Sequence, residues 1–352
     1  MIQTRLTKLL GIKHPIVLAG ANWLTYPELV AEVSNAGGLG LLAVAQYSPE
    51  QMRENIRTIK RLTKKPFGIN QILIGPGAQN NIQIAIEEKV PVINYSLGKP
   101  WFVDDVHKYG GKVVGTIALS RHALKAQELG CDALIITGFE AAAHGADGTS
   151  MVLIPTVSSM VKLPLIAAGG FYDGRGLAAA LALGADAISM GTRFMLTKES
   201  RLHQNFKELC LKANETDTLY GPYFDGMDGR VLKTSQSITM SKGRLSLPEA
   251  FAASNIVKKR LGLSIPQFIM MGVSMMFAGE DSRGVLMLAR QAIGASRHLL
   301  AIEKGDVNEG IIFAGQCIGG INDIPSVQDL IKNIIKEAEA TMKGSTKLIK
   351  TN

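Results

Sequence analysis

The stretch Glu140-Ala-Ala-Ala-His144 places a carboxylate and an imidazole just beyond an apolar run, Ala133-Leu134-Ile135-Ile136. Polar groups that follow a buried strand lie at the carboxyl edge of a parallel sheet, where α/β folds and barrels build their sites. An imidazole titrates near neutral pH, so it suits acid, base or anion-binding roles. His144 is therefore the candidate catalytic residue. Glu140 is expected to orient the loop or cap the following turn.

The other five histidines have no comparable context. We expect them to be surface or packing residues: His14, His107, His122, His203 and His298.

Two glycine-rich strand ends predict a phosphate site. One apolar run ends in Ala167-Ala168-Gly169-Gly170, and the next ends in Met190-Gly191-Thr192-Arg193. Glycines let backbone N–H groups approach an anion, while Thr192 offers a hydroxyl and Arg193 adds positive charge. In α/β barrels the loops after strands seven and eight commonly form this site. The P-loop motif and a Rossmann glycine motif in the required strand–helix context are both missing, so neither a nucleoside-triphosphate nor a dinucleotide fold is indicated.

Eight short apolar runs alternate with helical patterns and predict repeated β-α units. Eight parallel strands with short connections close naturally into a barrel, so the predicted fold is a (β/α)8 TIM barrel. The runs lie near 15–18, 38–42, 66–69, 90–93, 112–115, 133–136, 165–168 and 187–190.

The character of the sequence changes near residue 214, where a turn-rich polar segment is followed by helical patterns at 248–261, 266–277, 284–303 and 326–342. We predict a barrel formed by 1–213 and 311–342, with a smaller helical cap, 214–310, inserted near the C-terminus as the substrate domain. Residues 343–352 are expected to form a flexible tail. A soft apolar set is expected to close over a hydrophobic substrate: Tyr220, Tyr223, Phe224, Met270, Met271, Met275 and Met276.

Composition indicates an ordinary soluble globular enzyme, with 46% hydrophobic and 19% charged residues. The net charge of +8 is scattered rather than interleaved with aromatic residues, so we expect a small-molecule substrate and no nucleic-acid partner. The three cysteines form no CxxC pair, which predicts neither a disulfide framework nor a metal site and favours the cytoplasm. No segment is long and apolar enough to span a membrane, and a homodimer is left open.

Several ordered motifs resemble the nitronate monooxygenase family, formerly called 2-nitropropane dioxygenases, and its relatives the FMN-dependent enoyl-ACP reductases. They run from residue 1 to about 342 and comprise HPIVLAGA, SNAGGLGLL, PFGIN, EAAAHG, PLIAAGGF, GADAISMGTRF and GQCIGGINDIPSV. The resemblance implies an FMN-dependent oxidoreductase in which His144 matches the active-site histidine near the reactive face of the flavin. It also implies a set of cofactor contacts at the ring edge, the ring polar groups and the phosphate: Ala19, Gly20, Ala21, Asn70, Ala168, Gly169, Gly170, Gly191, Thr192 and Gln316.

The activity that the resemblance implies is oxidation of alkyl nitronates or nitroalkanes with O2. His144 would act as a base toward the acidic α-carbon or hold the anionic nitro group. The alternative is an NAD(P)H-dependent flavin reductase of the enoyl-ACP reductase or quinone reductase type. Ala142 and Ala143 stand where relatives carry glycines, and alanine does not readily take positive φ, so the path of this loop or the space above the flavin is expected to differ from that in the relatives.

Two readings without flavin remain open. A sugar-phosphate isomerase or aldolase would need a Schiff-base lysine or metal-binding carboxylates, and Lys99, beyond strand four, has no carboxylate cluster beside it. A non-catalytic ligand-binding barrel is the other.

Overall fold

The computed structural model describes residues 2–75, 77–142, 144–260, 273 and 284–348. Some predictions fall outside these residues. The predicted helix at 266–277 lies outside them except for Val273, and with it the four methionines Met270, Met271, Met275 and Met276. Ala143 and the end of the predicted tail, 349–352, lie outside them as well.

Eight parallel strands close into a barrel in sequence order. β8 pairs with β1 in the register Ile16↔Ile188 and Val17↔Ser189, and this pairing completes the ring. Every predicted strand is present close to its predicted position, so the (β/α)8 TIM barrel is confirmed. The strands are β1 Ile16–Leu18, β2 Leu39–Ala43, β3 Phe67–Ile72, β4 Val92–Ser96, β5 Lys112–Ile117, β6 Ala133–Thr137, β7 Leu165–Ala168 and β8 Ala187–Met190.

Helices follow the strands and continue beyond the barrel. They are α1 Arg5–Leu10, α2 Pro27–Asn35, α3 Pro49–Leu62, α4 Ala78–Glu87, α5 Val103–Lys108, α6 Arg121–Glu128, α7 Ser150–Met160, α8 Gly174–Ala182, α9 Thr192–Met195, α10 Gln204–Leu211, α11 Ser235–Ser241, α12 Leu247–Arg260, α13 Val285–Leu299 and α14 Val327–Thr346. A π-helical turn at Leu300–Lys304 and a 3-10 turn at Gln316–Gly320 lie between α13 and α14.

Local sequence signals explain where several helices begin. α3 starts with Pro49 after Ser48, whose side chain caps the helix and pairs reciprocally with Gln51. α8 follows Asp173, whose carboxylate accepts a hydrogen bond from the N–H of Gly176. The strands need no such signal, because parallel strands are buried on both faces and appear as short apolar runs.

Two apolar layers stabilise the barrel. Inside it, Val17, Leu41 and Ile135 belong to one buried cluster, which Leu6 and Leu10 of α1 also join. A larger cluster fills the space between the strands and the surrounding helices. Because side chains fill the barrel interior, space for a ligand is left at its mouth.

The segment 214–310, for which we keep the name cap, contains an antiparallel hairpin that the sequence did not predict. β9 Thr218–Gly221 pairs with β10 Gly229–Leu232 in the register Tyr220↔Arg230. Behind this hairpin α12 and α13 pack together, and their shared core contains Phe224, Val231 and Ile293.

The final helix returns to the barrel wall, as predicted. α14 packs against α8, where the carboxylate of Glu337 accepts a hydrogen bond from the N–H of Gly174 at 2.7 Å. It extends to Thr346, so residues 343–346 of the predicted tail are helical. Of the helices in the described ranges, none has both the length and the apolar character to cross a membrane.

Candidate functional site

The carboxyl ends of the eight strands open into one large cavity. Its volume is about 1620 Å³, and its walls come from the loops after every strand and from α12 and α13 of the cap. Small-molecule pockets usually measure about 300–1,000 Å³, so this cavity has room for more than one ligand. Ten of the predicted site residues line it: Ala19, Gly20, Ala21, Asn70, His144, Ala168, Gly169, Gly170, Gly191 and Thr192.

The ends of β7 and β8 form a glycine-rich wall. Gly169 and Gly170 have φ angles of 99° and 83°, and a Cβ at Gly169 would lie 2.9 Å from the carbonyl oxygen of Gly138. Both positions therefore favour glycine. Among the hydrogen bonds of the described chain, none uses the N–H of Gly169, Gly170 or Gly191. Such N–H groups in a concave wall suit a phosphate.

Thr192 and Arg193 follow β8 but face different surroundings. The Oγ1 of Thr192 accepts a hydrogen bond from the N–H of Gly315 at 2.9 Å, and its hydroxyl also contacts the side chain of Cys317. Arg193 is buried and donates to Asp323, with Nη2 2.6 Å from Oδ1. Burial, opposed by Asp323, lowers the pKa of its guanidinium. Contrary to the prediction, Arg193 adds no charge to the glycine-rich wall.

The strand ends at the mouth also carry buried polar atoms that have no protein partner in the described part of the chain. The Nδ2 of Asn70, on β3, donates to the carbonyl of Gly20 at 3.1 Å. Within the described residues the Oδ1 of Asn70 and the Oγ of Ser189 are buried and have no hydrogen-bond partner. A Cβ at Gly20 would lie only 2.4 Å from the Cβ of Asn70. Orphaned buried polar atoms are rare, and a polar ring seated here would satisfy them.

His144 lies in the loop after β6 and faces oxygen atoms through both ring nitrogens. Its Nδ1 is 3.0 Å from the carbonyl oxygen of Asp228, and its Nε2 is 3.1 Å from Oδ2 of Asp225. The ring also packs edge-on against Phe313, with the centroids 6.3 Å apart. A quarter of the side chain, 26%, remains exposed toward the cavity that it lines.

Glu140 anchors the loop that carries His144. Its carboxylate oxygens accept hydrogen bonds from the N–H of Ser150 at 3.1 and 3.0 Å and from the Oγ of Ser150 at 2.9 Å. Ser150 is the first residue of α7, and Glu140 does not line the cavity. These contacts agree with the expected capping role.

Ala142 fits the loop without strain. It does not belong to the non-glycine residues with positive φ, and its carbonyl accepts a hydrogen bond from the N–H of Arg230 at 3.0 Å. The loop therefore does not require glycine at position 142.

Gln316 is the one predicted site residue that the structure does not bring to the cavity wall. Its N–H donates to the carbonyl of Glu140 at 2.9 Å, at the start of the 3-10 turn. Its neighbours Gly315 and Cys317 line the cavity instead. The turn therefore ties the C-terminal segment to the His144 loop through the backbone.

Three polar wall residues were missed or set aside by the sequence analysis. Asp225 and Asp228 lie in the loop between β9 and β10, whose motif GPYFDGMDGR was recognised only as turn-rich. His298, on α13, was expected to be a surface or packing residue but lines the cavity. Burial lowers its pKa to about 4, so it is neutral at pH 7. Its Nδ1 donates to the carbonyl of Ile311 at 3.2 Å, with the tautomer inferred from this contact.

Of the apolar set predicted for the cap, the three members that lie in the described residues are not at the cavity wall. They are Tyr220, Tyr223 and Phe224, and Phe224 lies fully buried inside the cap. The cap wall consists of mostly small and apolar residues of α12 and α13: Ala250, Phe251, Ser254, Val257, Leu288, Ala289, Gln291, Ala292, Gly294 and Ala295.

Arg230 holds the hairpin against the His144 loop. It is 4% exposed, and its Nη2 donates to the carbonyl of Phe139 at 3.0 Å. The guanidinium lies 4.7 Å from the ring centroid of Phe139 and 5.2 Å from that of Tyr220. Burial lowers its pKa. It is therefore neither solvated nor turned toward the cavity.

Three basic or titratable side chains lie together on the β4–β5 side of the cavity. Lys99 follows β4, while His122 and Lys125 lie on α6, and all three are exposed. Lys125 pairs with Glu128 at 3.0 Å. We call these three residues the basic rim. In the described part of the chain, no group of three or more His, Cys, Asp or Glu side chains is placed to hold a metal ion.

Comparisons with known proteins agree with this geometry. A family model described as nitronate monooxygenase matches residues 3–82 and 71–337. The chain is 35% identical over 341 residues to "(3aS,4S,5R,7aS)-5-hydroxy-7a-methyl-1-oxo-octahydro-1H-indene-4-carboxyl-CoA dehydrogenase" of Rhodococcus jostii, covering 96% of each protein. A probable nitronate monooxygenase of Staphylococcus aureus is 28% identical over 295 residues, covering 70% of this chain and 83% of that protein. The structure of FabK from Thermotoga maritima superposes with a TM-score of 0.82 and 34% identity, covering 99% of this chain and 100% of that one.

Proposed function

Because the chain belongs to the nitronate monooxygenase family of flavin-dependent oxidoreductases, we propose that it binds FMN and catalyses a redox reaction on the acyl part of a coenzyme A thioester. The observation that carries this proposal is the cavity of about 1620 Å³, which continues from the glycine-rich wall to the cap and the basic rim. A mononucleotide and a nitroalkane of a few atoms would leave much of this volume unused. A cofactor together with a long, partly apolar thioester makes fuller use of it.

The residues present fit FMN. The N–H groups of Gly169, Gly170 and Gly191 are available for its phosphate, and Thr192 lines the cavity beside them. The orphaned Oδ1 of Asn70 can accept a hydrogen bond from a ring N–H. When bound, the flavin supplies the two-electron redox chemistry, while the protein positions the substrate, excludes water and provides charged groups.

A thioester substrate is supported by relatives that match nearly the whole chain. The Rhodococcus jostii relative is named as a carboxyl-CoA dehydrogenase, whereas the match to the Staphylococcus aureus protein covers less of the chain at lower identity. The basic rim offers cationic groups for the phosphates of coenzyme A, because phosphates bind lysine and protonated histidine side chains. The small side chains of α12 and α13 leave space for the acyl part.

His144 is the proposed acid–base or charge-stabilising residue. It lines the cavity beside the glycine-rich wall, and its ring orientation is fixed by Asp228 and Asp225. A histidine held in this way can stabilise negative charge on a thioester oxygen or exchange a proton with the substrate. In the reducing direction we propose NAD(P)H as the electron donor.

Oxidation of nitronates with O2 remains the second candidate, because the family model carries that description. The same cavity and the same histidine would serve it. The two candidates differ in which compound reduces the flavin.

An anaerobic comparison of reductants tests both. The purified yellow protein is mixed separately with NADH, NADPH and propyl-nitronate, and the flavin absorbance is followed by stopped flow. Reduced protein is then mixed with unsaturated acyl-CoA thioesters. We expect prompt bleaching by one nicotinamide and reoxidation by a thioester. Bleaching by the nitronate alone would refute the thioester proposal in favour of the monooxygenase. Failure to take up any flavin would refute both.

A further inference from the structure

The contacts of His144 single out Asp225, a residue that the sequence analysis did not recognise. The Oδ2 of Asp225 lies 3.1 Å from the Nε2 of His144, while its Oδ1 accepts a hydrogen bond from the N–H of Met227 at 3.2 Å. Both carboxylate oxygens are therefore engaged, and the orientation of the group is fixed. The side chain of Asp225 is 20% exposed, so the contact is only partly screened by water.

Two neighbours of the imidazole bear directly on where its protons lie. The carbonyl oxygen of Asp228 can only accept, so the Nδ1 facing it at 3.0 Å must carry a proton. The carboxylate of Asp225 also accepts, so the contact at Nε2 is attractive when that nitrogen carries a proton too. The arrangement thus accommodates a doubly protonated, cationic ring.

We propose that Asp225 is a positioning residue that holds His144 as an imidazolium, with its second proton on Nε2 at the wall of the cavity. The catalytic role that we give to this pair rests on the proposed function, whereas the pairing itself does not. Because both ring N–H groups are directed at Asp225 and Asp228, the cationic ring acts through its charge, which stabilises the negative charge that develops on a thioester or nitronate oxygen. A histidine in this state is not a base toward a substrate carbon, which is one of the two roles expected from the sequence.

The other charged groups around His144 affect the protonation of its ring less directly than Asp225 does. Asp228 presents its backbone carbonyl, and the guanidinium of Arg230, on β10, is turned toward Phe139. His298, on α13, packs on the same Phe313 ring and is neutral at pH 7. Glu140 accepts its hydrogen bonds from Ser150, at the start of α7. Of these groups, Asp225 is the one whose carboxylate touches Nε2.

The test follows the imidazole itself by NMR, in the flavin-loaded protein without substrate. Protein labelled with ¹³C at the histidine rings is titrated from acid to alkaline pH, and His144→Gln identifies the signal of His144. We expect this signal to change at a pH about one unit or more higher in the wild type than in Asp225→Asn, because a nearby carboxylate favours the charged ring. Asp225→Glu should restore most of the difference. The matched control is Asp147→Asn, because Asp147 is an exposed residue of the His144 loop that does not line the cavity. This substitution should leave the signal unchanged.

Turnover provides a second measurement. We expect Asp225→Asn to lower kcat by about 100-fold with a smaller change in KM, because charge stabilisation acts in the transition state. Its rate should also decline at lower pH than that of the wild type, since the ring loses its second proton sooner. Thermal unfolding of each variant checks that the fold is retained.

The two proposals can fail separately. An unchanged titration of His144 in folded Asp225→Asn would overturn the pairing, whatever the substrate is. A shifted titration in a protein that turns over no thioester would support the pairing and refute the proposed function.

Discussion

The two sides of the cavity differ in how far their polar groups are satisfied by the protein itself. On the barrel side, Asn70 Oδ1, Ser189 Oγ and the N–H groups of the glycine-rich wall have no protein partner within the described residues. On the cap side, His144 is held by Asp225 and by the carbonyl of Asp228, and Arg230 donates its Nη2 to the carbonyl of Phe139, although its Nε is buried without a partner among the described residues. The barrel side thus leaves polar groups available to a ligand, whereas the cap side holds His144 in position through contacts within the protein.

This difference separates binding from catalysis. Polar groups that are left unsatisfied lower the stability of the protein alone and regain that free energy when a ligand binds. Polar groups that satisfy one another are already ordered, so they need no rearrangement when charge develops on a substrate. We therefore expect substitutions on the barrel side to alter cofactor affinity, and substitutions on the cap side to alter stability or turnover.

The largest effect is expected for Gly20→Ala, which would disturb the position of Asn70 on the barrel side. The new Cβ would lie 2.4 Å from the Cβ of Asn70, an atom that cannot rotate away. Overpacking of this kind costs about 1–3 kcal/mol of stability. Because the clash is relieved by displacing Asn70 from the position where it would meet the flavin, FMN affinity should fall by up to about 100-fold. Fluorescence titration of the apoprotein with FMN measures it. Gly284→Ala is the control, because a Cβ there meets nothing within 4 Å. Equal FMN affinity in both variants would contradict a seat at Asn70.

The second effect concerns acid stability on the cap side. Burial lowers the pKa of His298 from its ordinary 6.5 to about 4, so the unfolded chain binds more protons than the folded one between these values. Stability is therefore complete above pH 6.5 and declines by up to about 3 kcal/mol as the pH falls toward 4. Urea unfolding at a series of pH values measures the decline.

His298→Gln should flatten this part of the pH dependence, while His122→Gln, at an exposed position, should leave it unchanged. An identical decline in wild type and His298→Gln would mean that another group is responsible.

A pair of serines sharpens the comparison further. Ser189, on β8, is buried with an unpartnered hydroxyl, whereas the buried Oγ of Ser237, on α11, donates to the carbonyl of Leu232 at 2.9 Å. We expect Ser189→Ala to leave the apoprotein equally or slightly more stable and to weaken FMN binding by about 1 kcal/mol. Ser237→Ala should do the reverse, losing about 1 kcal/mol of stability with FMN affinity unchanged. Urea unfolding and FMN titration of both variants test this, and matching behaviour of the two would remove the distinction between the sides.

The barrel side was predictable because its features are local. Each strand is a short apolar run, and the glycines of the glycine-rich wall directly follow such runs. The cap side depends on contacts between distant residues. His144 meets Asp228 from 84 positions away, and Arg193 turns to Asp323 across 130 positions. Neither residue type nor spacing indicates these pairings, so Asp225 was missed and Arg193 was wrongly assigned to the phosphate site.

The smallest effect concerns the basic rim, which belongs to neither side. Lys99→Glu should raise KM for a coenzyme A thioester about two- to fivefold, because exposed ion pairs contribute at most about 1 kcal/mol. A truncated thioester without phosphates should show no change, and added salt should abolish the difference for the full substrate. Lys332→Glu places the same charge change at an exposed position of α14 on the barrel wall and should leave both values unchanged. Equal changes in KM for the full and the truncated thioester would show that Lys99 acts on the acyl part or on the fold. In that case the phosphates leave the cavity by another route, and the rim has no role in binding them.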